Sequence, residues 1–160
     1  MARLYAGLSF EQAVDKYADT VYTACIVRLS GNSDVDDCVQ NTFIALYSKS
    51  PEFNDENHLK AWLLRVAINE CRMAQRRALR FVPLNSVGEI PFPQPADNGD
   101  MTMALMRLSP KYREALYLYY VEEYKVDEIA EILGSKSGTV KSLLKRGRDK
   151  LRKEYGGDDE

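Results

Sequence analysis

A chain of 160 residues with 45% apolar side chains can bury the core of one domain or of two small ones. No apolar run approaches the roughly 18 residues of a membrane span, and the opening MARLYAGLSFEQ lacks the apolar core of a signal peptide, so a cytoplasmic protein is expected. The formal net charge of −2 argues against a nucleic-acid binder only until it is divided along the chain, because residues 1–60 hold 5 basic and 9 acidic side chains and the cationic surplus lies beyond them.

Almost everything outside residues 82–100 has helical period and no stretch alternates like a strand, so the class is all-α, with two small helical domains joined by a proline-rich linker. The expected boundaries are 1–81 for the first domain, 82–103 for the linker and 104–160 for the second domain with its short acidic tail. In the first domain four helical segments are predicted: Ser9 to Leu29, ended by Gly31, then Asp34 to Ser48, and a long stretch from His58 to about Arg80 that is broken once. Between the last two lies SKSPEFNDEN, read as a polar loop. Cys25, Cys38 and Cys71 each fall in a helical pattern and read as small core residues. They form no CxxC pair, and the single His58 cannot complete a zinc site with ligands so scattered, so no metal is expected.

The helix from Asp34 carries Asp34, Asp36 and Asp37 at its positive N-terminal end, where acids are favourable and capping accounts for part of the cluster. Beside its apolar stripe of Val35, Val39, Phe43 and Leu46 runs a face of Asp37, Gln40, Asn41 and Ile44, which offers charge and an exposed apolar group to a protein partner. On the long helix, Leu59, Leu63, Val66 with Ala67, Cys71, Ala74 and Ala78 make an apolar stripe. Trp62, Arg65, Asn69, Arg72 and Arg76 recur at steps of 3, 4, 3 and 4 on the neighbouring face. An indole followed by guanidinium and carboxamide groups can stack on bases and grip a backbone; Trp62 is equally suited to the core.

Four of the six prolines, Pro83, Pro91, Pro93 and Pro95, lie in VPLNSVGEIPFPQPADNGD. This stretch suits a semi-stiff tether that lies in a groove of a partner, and equally an inert spacer. The second domain opens at Ser109-Pro110, a capping residue followed by a proline at the first helical position, with Tyr112, Leu116 and Tyr119 or Tyr120 facing inward.

VDEIAEILGSKSGTVKSLLKRGRDKL, Val126 to Leu151, has the spacing of a helix-turn-helix. Ala130 allows close approach of the two helices, Gly134 can take a left-handed turn, and Val140 pins the second helix onto the first. Val140, Leu144, Gly147 and Leu151 form one narrow apolar stripe. From Lys136 to Lys153 eight basic residues stand against one acid, Asp149. Docked in a major groove, Thr139, Lys141, Ser142 and Lys145 would reach base edges, while Lys136, Arg146 and Arg148 would meet phosphates.

Taken in order, SDVDDCVQNTFIALYS, HLKAWLLRVAINECRMAQRR and LSPKYREALYLYYVEEYKVDEIAEILGSKSGTVKSLLKRGRDKLRK resemble bacterial RNA polymerase sigma factors of the extracytoplasmic-function group, within the sigma-70 family. The resemblance covers nearly the whole chain and implies a region 2-like bundle and a region 4-like helix-turn-helix domain. It implies that Asp36, Asp37, Gln40, Asn41, Phe43 and Ile44 contact the β′ clamp helices of core RNA polymerase. It further implies that the helix of Trp62, Arg65, Asn69, Arg72 and Arg76 reads the −10 promoter element, and that Lys141 and Ser142 lie over the −35 element. The linker would thread toward the RNA-exit channel, the second domain would meet the β flap, and an anti-sigma factor would regulate the protein. Asn41 stands where the family often has glutamate, and Leu143 where it often has arginine. Ser135 and Lys136 stand where an apolar residue and a serine are usual, which leaves Ser137 or Ser135 as the expected helix cap.

The expected function is promoter-specific recruitment of polymerase to DNA. A stand-alone helix-turn-helix regulator would leave the Asp36, Asp37 and Gln40 face without purpose. An enzyme built on Asp34, Asp36, Asp37 and His58 lacks any nucleophile and base arrangement. No catalytic residue, cofactor or small-molecule substrate is expected.

Overall fold

In the computed structural model, which describes residues 3–30, 34–81 and 100–156, Ser9 starts the first helix with a reciprocal cap. Its hydroxyl accepts the Gln12 amide at 3.1 Å while Gln12 Oε1 accepts the Ser9 amide at 2.9 Å, which satisfies two donors that helical geometry leaves over. Helix α1, Phe10–Leu29, ends where Ser30 takes a left-handed backbone with φ 57°; Gly31, the expected stop, lies outside the described residues. Helix α2 is Val35–Lys49. Asp34 occupies its cap position but makes no side-chain cap bond.

Helix α3, Glu56–Phe81, is continuous, so the predicted break does not occur and the described part of the first unit has three helices rather than four. It also starts two residues before His58, because Asp55 caps it: Oδ1 accepts the His58 amide at 2.8 Å. The chain divides into two compact units, Met1–Ile90 and Pro91–Glu160.

In the first unit α1, α2 and α3 pack pairwise. Ala13, Tyr17, Val21, Cys25 and Leu29 come at every fourth residue of α1 and meet Val35, Cys38, Phe43 and Leu46 of α2 and Leu59, Leu63, Ala67, Cys71 and Ala74 of α3. Leu64 and Ile68 are buried as well, because two helices cover α3, which widens the stripe that periodicity outlined. Val66 is only half-buried and Ala78 is exposed. Both were expected in the stripe, but Val66 lies at its edge and Ala78 beyond the last buried residue, Ala74. Truncating one of the fully enclosed leucines, such as Leu63, is expected to cost about 2–5 kcal/mol.

The three thiols, far apart in sequence, come together in this core. Cys71 lies close enough to Cys25 and Cys38 for the three thiols to affect one another's ionisation, and all three are buried and free. The loop before α3 is not wholly polar. Phe53 packs on the core and stacks edge-on against both His58 and Trp62, with centroids 5.1 and 5.7 Å apart.

The second unit consists of α4 (Asp100–Arg107), α5 (Pro110–Leu116) continued by a π-helical turn (Tyr117–Val121), α6 (Val126–Leu133) and α7 (Ser137–Gly156). Helix α4 begins inside the stretch expected as linker; residues 82–99 of that stretch lie outside the described residues. Ser109 stands at the cap of α5, yet only its backbone carbonyl acts, accepting the amides of Tyr112 and Arg113. Every residue from Tyr112 to Leu118 is buried, whereas Tyr119 and Tyr120, one or the other of which was expected to face inward, are both exposed. Helix α7 packs on α5, and α6 on the turn that follows, so a single inward stripe does not describe this helix. The wider π-helical turn at Tyr117–Val121 breaks the interval that would have brought Tyr119 or Tyr120 inward. Arg113, 3% exposed, turns its guanidinium to the carbonyls of Leu108 at 2.7 Å and Met106 at 3.2 Å, supplying donors where α4 ends.

Among the described residues no β-strand forms; Tyr5 and Leu8 are joined only across a tight turn. None of the helices is long and apolar enough to cross a membrane.

Candidate nucleic-acid interface

The turn between α6 and α7 is built as its residues dictate. Gly134 takes φ +68°, a conformation that costs a residue with a Cβ. The Ser135 amide then reaches back to the Ala130 carbonyl at 2.9 Å and the Gly134 amide to Glu131 at 3.3 Å, the paired bonds that close a helix on a left-handed residue. At the other end of α6, Glu128 accepts the Lys125 amide at 2.8 Å. The carbonyl of Lys136 accepts the Val140 amide at 3.1 Å, so Lys136 precedes the first turn of α7. Neither serine acts as the expected cap. Ser137 is already helical and donates its hydroxyl to Asp127 of α6, tying the two helices, while the buried Ser135 hydroxyl has no partner.

Val140 and Leu144 are buried on α7, and Gly147 with them. An added Cβ at Gly147 would lie 3.2 Å from Leu116 Cδ1 and 3.4 Å from Tyr112 Cβ, so this glycine sets how closely α7 approaches α5. Anchored along that edge, α7 presents Thr139, Lys141, Ser142, Lys145, Arg146 and Arg148 to solvent, and Lys136, just before it, is exposed as well. Two of these cations have neighbours: Lys145 stands 3.8 Å from Asp149, and Arg148 donates to the Tyr120 hydroxyl at 3.1 Å. Leu143 is half-buried.

In the first unit α3 carries a second such face. Arg65, Asn69 and Arg76 are exposed and Arg72 half-buried, and the neighbouring Arg77 is exposed too. Trp62 does both things its position allowed. It is half-buried against the core, clamped by Phe53, and keeps part of the indole at the surface beside Arg65. The sequence reading missed the part of Phe53, since nothing in a polar loop marks the one ring that orients Trp62.

On α2, Asp36, Asp37, Gln40, Asn41 and Ile44 are exposed, Ile44 by 57%. Phe43, grouped with them through the family resemblance, is instead 8% exposed and part of the core; its ring holds α2 in place and is not offered outward. Tyr47, one turn on from Ile44, is 67% exposed, lies edge-on to Phe10 at 5.2 Å, and extends this surface where the sequence reading stopped. Asn41 donates to Glu70 of α3 at 3.3 Å, so the α2 face and the α3 face share a border.

Residues 13–81 match the family Sigma-70 region 2, and residues 99–151 match Sigma-70, region 4. The chain is 30% identical to the RNA polymerase sigma-E factor of Streptomyces coelicolor, over 92% of this chain and 86% of that one. It is 27% identical to the ECF RNA polymerase sigma factor SigW of Bacillus subtilis, over 91% and 88%. Its fold is similar to that of the sigma factor RpoE solved in complex with the anti-sigma factor NepR from Bartonella quintana, with a TM-score of 0.77, 29% identity and coverage of 94% and 98%. It is also similar to CnrH solved in complex with the cytosolic domain of CnrY, with a TM-score of 0.64, 25% identity and coverage of 94% and 89%. The faces on α3 and α7 thus fall within regions 2 and 4, and the chain belongs to the extracytoplasmic-function group of the sigma-70 family of RNA polymerase sigma factors.

Proposed function

We propose that this chain is a dissociable promoter-specificity subunit that binds core RNA polymerase and directs initiation at promoters whose −35 and −10 elements it reads. The observation that carries this reading is the pairing of two exposed cationic helical faces in one chain, α3 and α7, each held by its own core. Thr139, Lys141, Ser142 and Lys145 on α7 read the −35 element, with Lys136, Arg146 and Arg148 on flanking phosphates. Trp62, Arg65, Asn69, Arg72 and Arg76 on α3 engage the −10 element, with the half-exposed indole able to stack on an unpaired base.

Asp36, Asp37, Gln40, Asn41 and Ile44 meet the clamp helices of the polymerase β′ subunit, and the second unit meets the β flap. The polymerase supplies the chemistry. The similar sigma factor RpoE was solved with an anti-sigma factor bound, and this supports regulation of the present chain by an anti-sigma factor.

Transcription from candidate promoters with purified core polymerase, with and without the protein, tests the reading. Promoter-dependent stimulation is expected. No stimulation at any promoter together with no binding to core would overturn it, and DNA binding without stimulation would assign a stand-alone regulator.

A further inference from the structure

One flank of α7 carries Arg146, Lys150 and Lys153 at i, i+4 and i+7, all exposed, and so stacked along one line of the helix. Opposite the last two, the end of α4 and the start of α5 bring Arg107 and Lys111. Between them opens a cleft of about 460 Å³ lined by these four cations together with Leu108, Ser109 and Tyr112, and among the described residues no carboxylate contributes to its wall.

Tyr112 forms its base. The Lys111 and Lys150 ammonium groups stand 5.1 and 5.6 Å from the centroid of this one ring, an arrangement that holds both cations in place without neutralising them. Among the described residues Lys111, Lys150 and Lys153 have no ion-pair partner. Asp149, which borders this flank, stands 3.8 Å from Lys145 and 3.9 Å from Arg152. Like charges gathered around one cleft repel each other, and an anion seated among them removes that cost.

We infer that this cleft is a phosphate clamp, distinct from the base-reading surface, that grips the backbone of duplex DNA beyond the element α7 reads. The inference rests on the reading of the second unit as DNA-binding and extends its footprint. Arg146, next to the base-reading Lys145, begins the line that Lys150 and Lys153 continue into the cleft. From Arg146 to Lys153 the helix advances by about 10 Å, on the order of three base-pair steps of B-form DNA. A strand that meets Arg146 therefore has its following phosphates within reach of the clamp.

The test is fluorescence anisotropy of the full chain with a labelled duplex of mixed sequence, across a series of potassium chloride concentrations. Each phosphate contact contributes about 0.9 to the slope of log K against log salt, so Lys150→Gln/Lys153→Gln is expected to lower the slope by about 1.8 whatever the DNA sequence. Lys150→Arg/Lys153→Arg should retain it, and circular dichroism should show both variants folded, since the positions are exposed. Inorganic phosphate at matched ionic strength, followed by the amide resonances of Lys111 and Lys150, forms the second arm. Phosphate-induced shifts in a chain whose DNA slope the double variant leaves unchanged would assign the cleft to a free phosphate ligand and overturn the duplex clamp. Duplex binding that Lys141→Ala weakens but Lys150→Gln/Lys153→Gln leaves alone overturns the clamp only. Absence of any duplex binding by the full chain overturns the clamp, while the promoter reading is decided separately by transcription with core polymerase.

Discussion

Asn41 on α2 donates its carboxamide to Glu70 on α3 at 3.3 Å, so a polar residue of one helix faces a carboxylate of the other. Asn41→Glu would set two like charges side by side at a half-exposed position, with an expected loss of about 0.5 kcal/mol in low salt. Thermal melts at low and high salt check this: the difference from the parent chain should shrink once the Debye length falls to about 3 Å near 1 M salt. An unchanged melting temperature at low salt would mean that Glu70 turns aside and that the contact carries nothing.

Gly147 and Leu116 set the spacing of α7 on α5. Gly147→Ala adds a methyl group that Leu116 can yield to and gains about 1 kcal/mol of helix preference, so its net effect should stay within about 1 kcal/mol of zero. Gly147→Leu has no such room beside the Tyr112 Cβ and is expected to destabilise the second unit by about 3 kcal/mol. Urea unfolding of the two variants decides this, with equal midpoints counting against the close approach.

Glu56 joins α3 to α1 by accepting from Lys16 and, at 2.7 Å, from the Tyr17 hydroxyl. These hydrogen bonds, that from Lys16 foremost, hold its carboxyl below the ordinary value of 4.5. A carboxylate whose pKa is depressed on folding contributes stability that is present above the unfolded value and lost as pH falls through the folded one. The stability difference between the parent and Glu56→Gln should therefore stay constant from neutral pH down to about pH 5, then narrow below about pH 4.5. A difference that does not change with pH would show that the charge of Glu56 is not what joins the helices.

The core thiols should be inert in the folded protein. Burial above all, then the nearby Cys71, pushes the Cys38 thiol up to about 12. Cys71 is raised too, chiefly by its hydrogen bond with Cys25 and then by burial. Since the thiolate is the reactive form, a thiol-specific reagent at pH 8 should modify none of the three cysteines in native buffer and all of them in denaturant. Rapid native labelling would mean that the helices open locally far more often than their packing implies.

The two proposed interfaces in the first and second units can be separated by substitution. Lys141→Ala should weaken use of the upstream promoter element, with a loss of about 1–3 kcal/mol in discrimination if the side chain contacts a base edge, and leave core binding intact. Asp37→Ala should lower affinity for core polymerase while duplex binding by the full chain persists. Promoter binding by holoenzyme and pull-down of core read the two effects. Parallel losses in both assays from either substitution would point to misfolding or to a wrong assignment of faces.

The readable features were local ones. Pro110 marked the first turn of a helix, Gly134 marked a left-handed turn, and the intervals of Leu59, Leu63, Ala67 and Cys71 marked a buried helix edge. Each of these is decided within one or two helical turns. The same locality explains the errors. The stripe rule places Tyr119 or Tyr120 inward because it carries the helical interval of Tyr112 and Leu116 onward, and the π-helical turn at Tyr117–Val121 changes that interval. Phe43 fitted a surface motif and a core stripe at once, and only the packing of α1 and α3 around it settles that its ring is inside. Asp55 sits in a polar loop by sequence, and its role as a cap lies only in the position of the His58 amide.

By itself the sequence determined the all-α class, the order of the helices, the turn chemistry of the helix-turn-helix and the polarity of charge along the chain. These follow from backbone preference and from the fixed periodicity of a helix. Tertiary structure alone decided which distant residues meet: three thiols in one core, Phe53 on Trp62, Asn41 on Glu70, Gly147 against Leu116, and the cations around Tyr112. Such pairings depend on how helices cross and how closely they approach. That is set by the shape of all the contacting side chains together, and no short window of residues contains it.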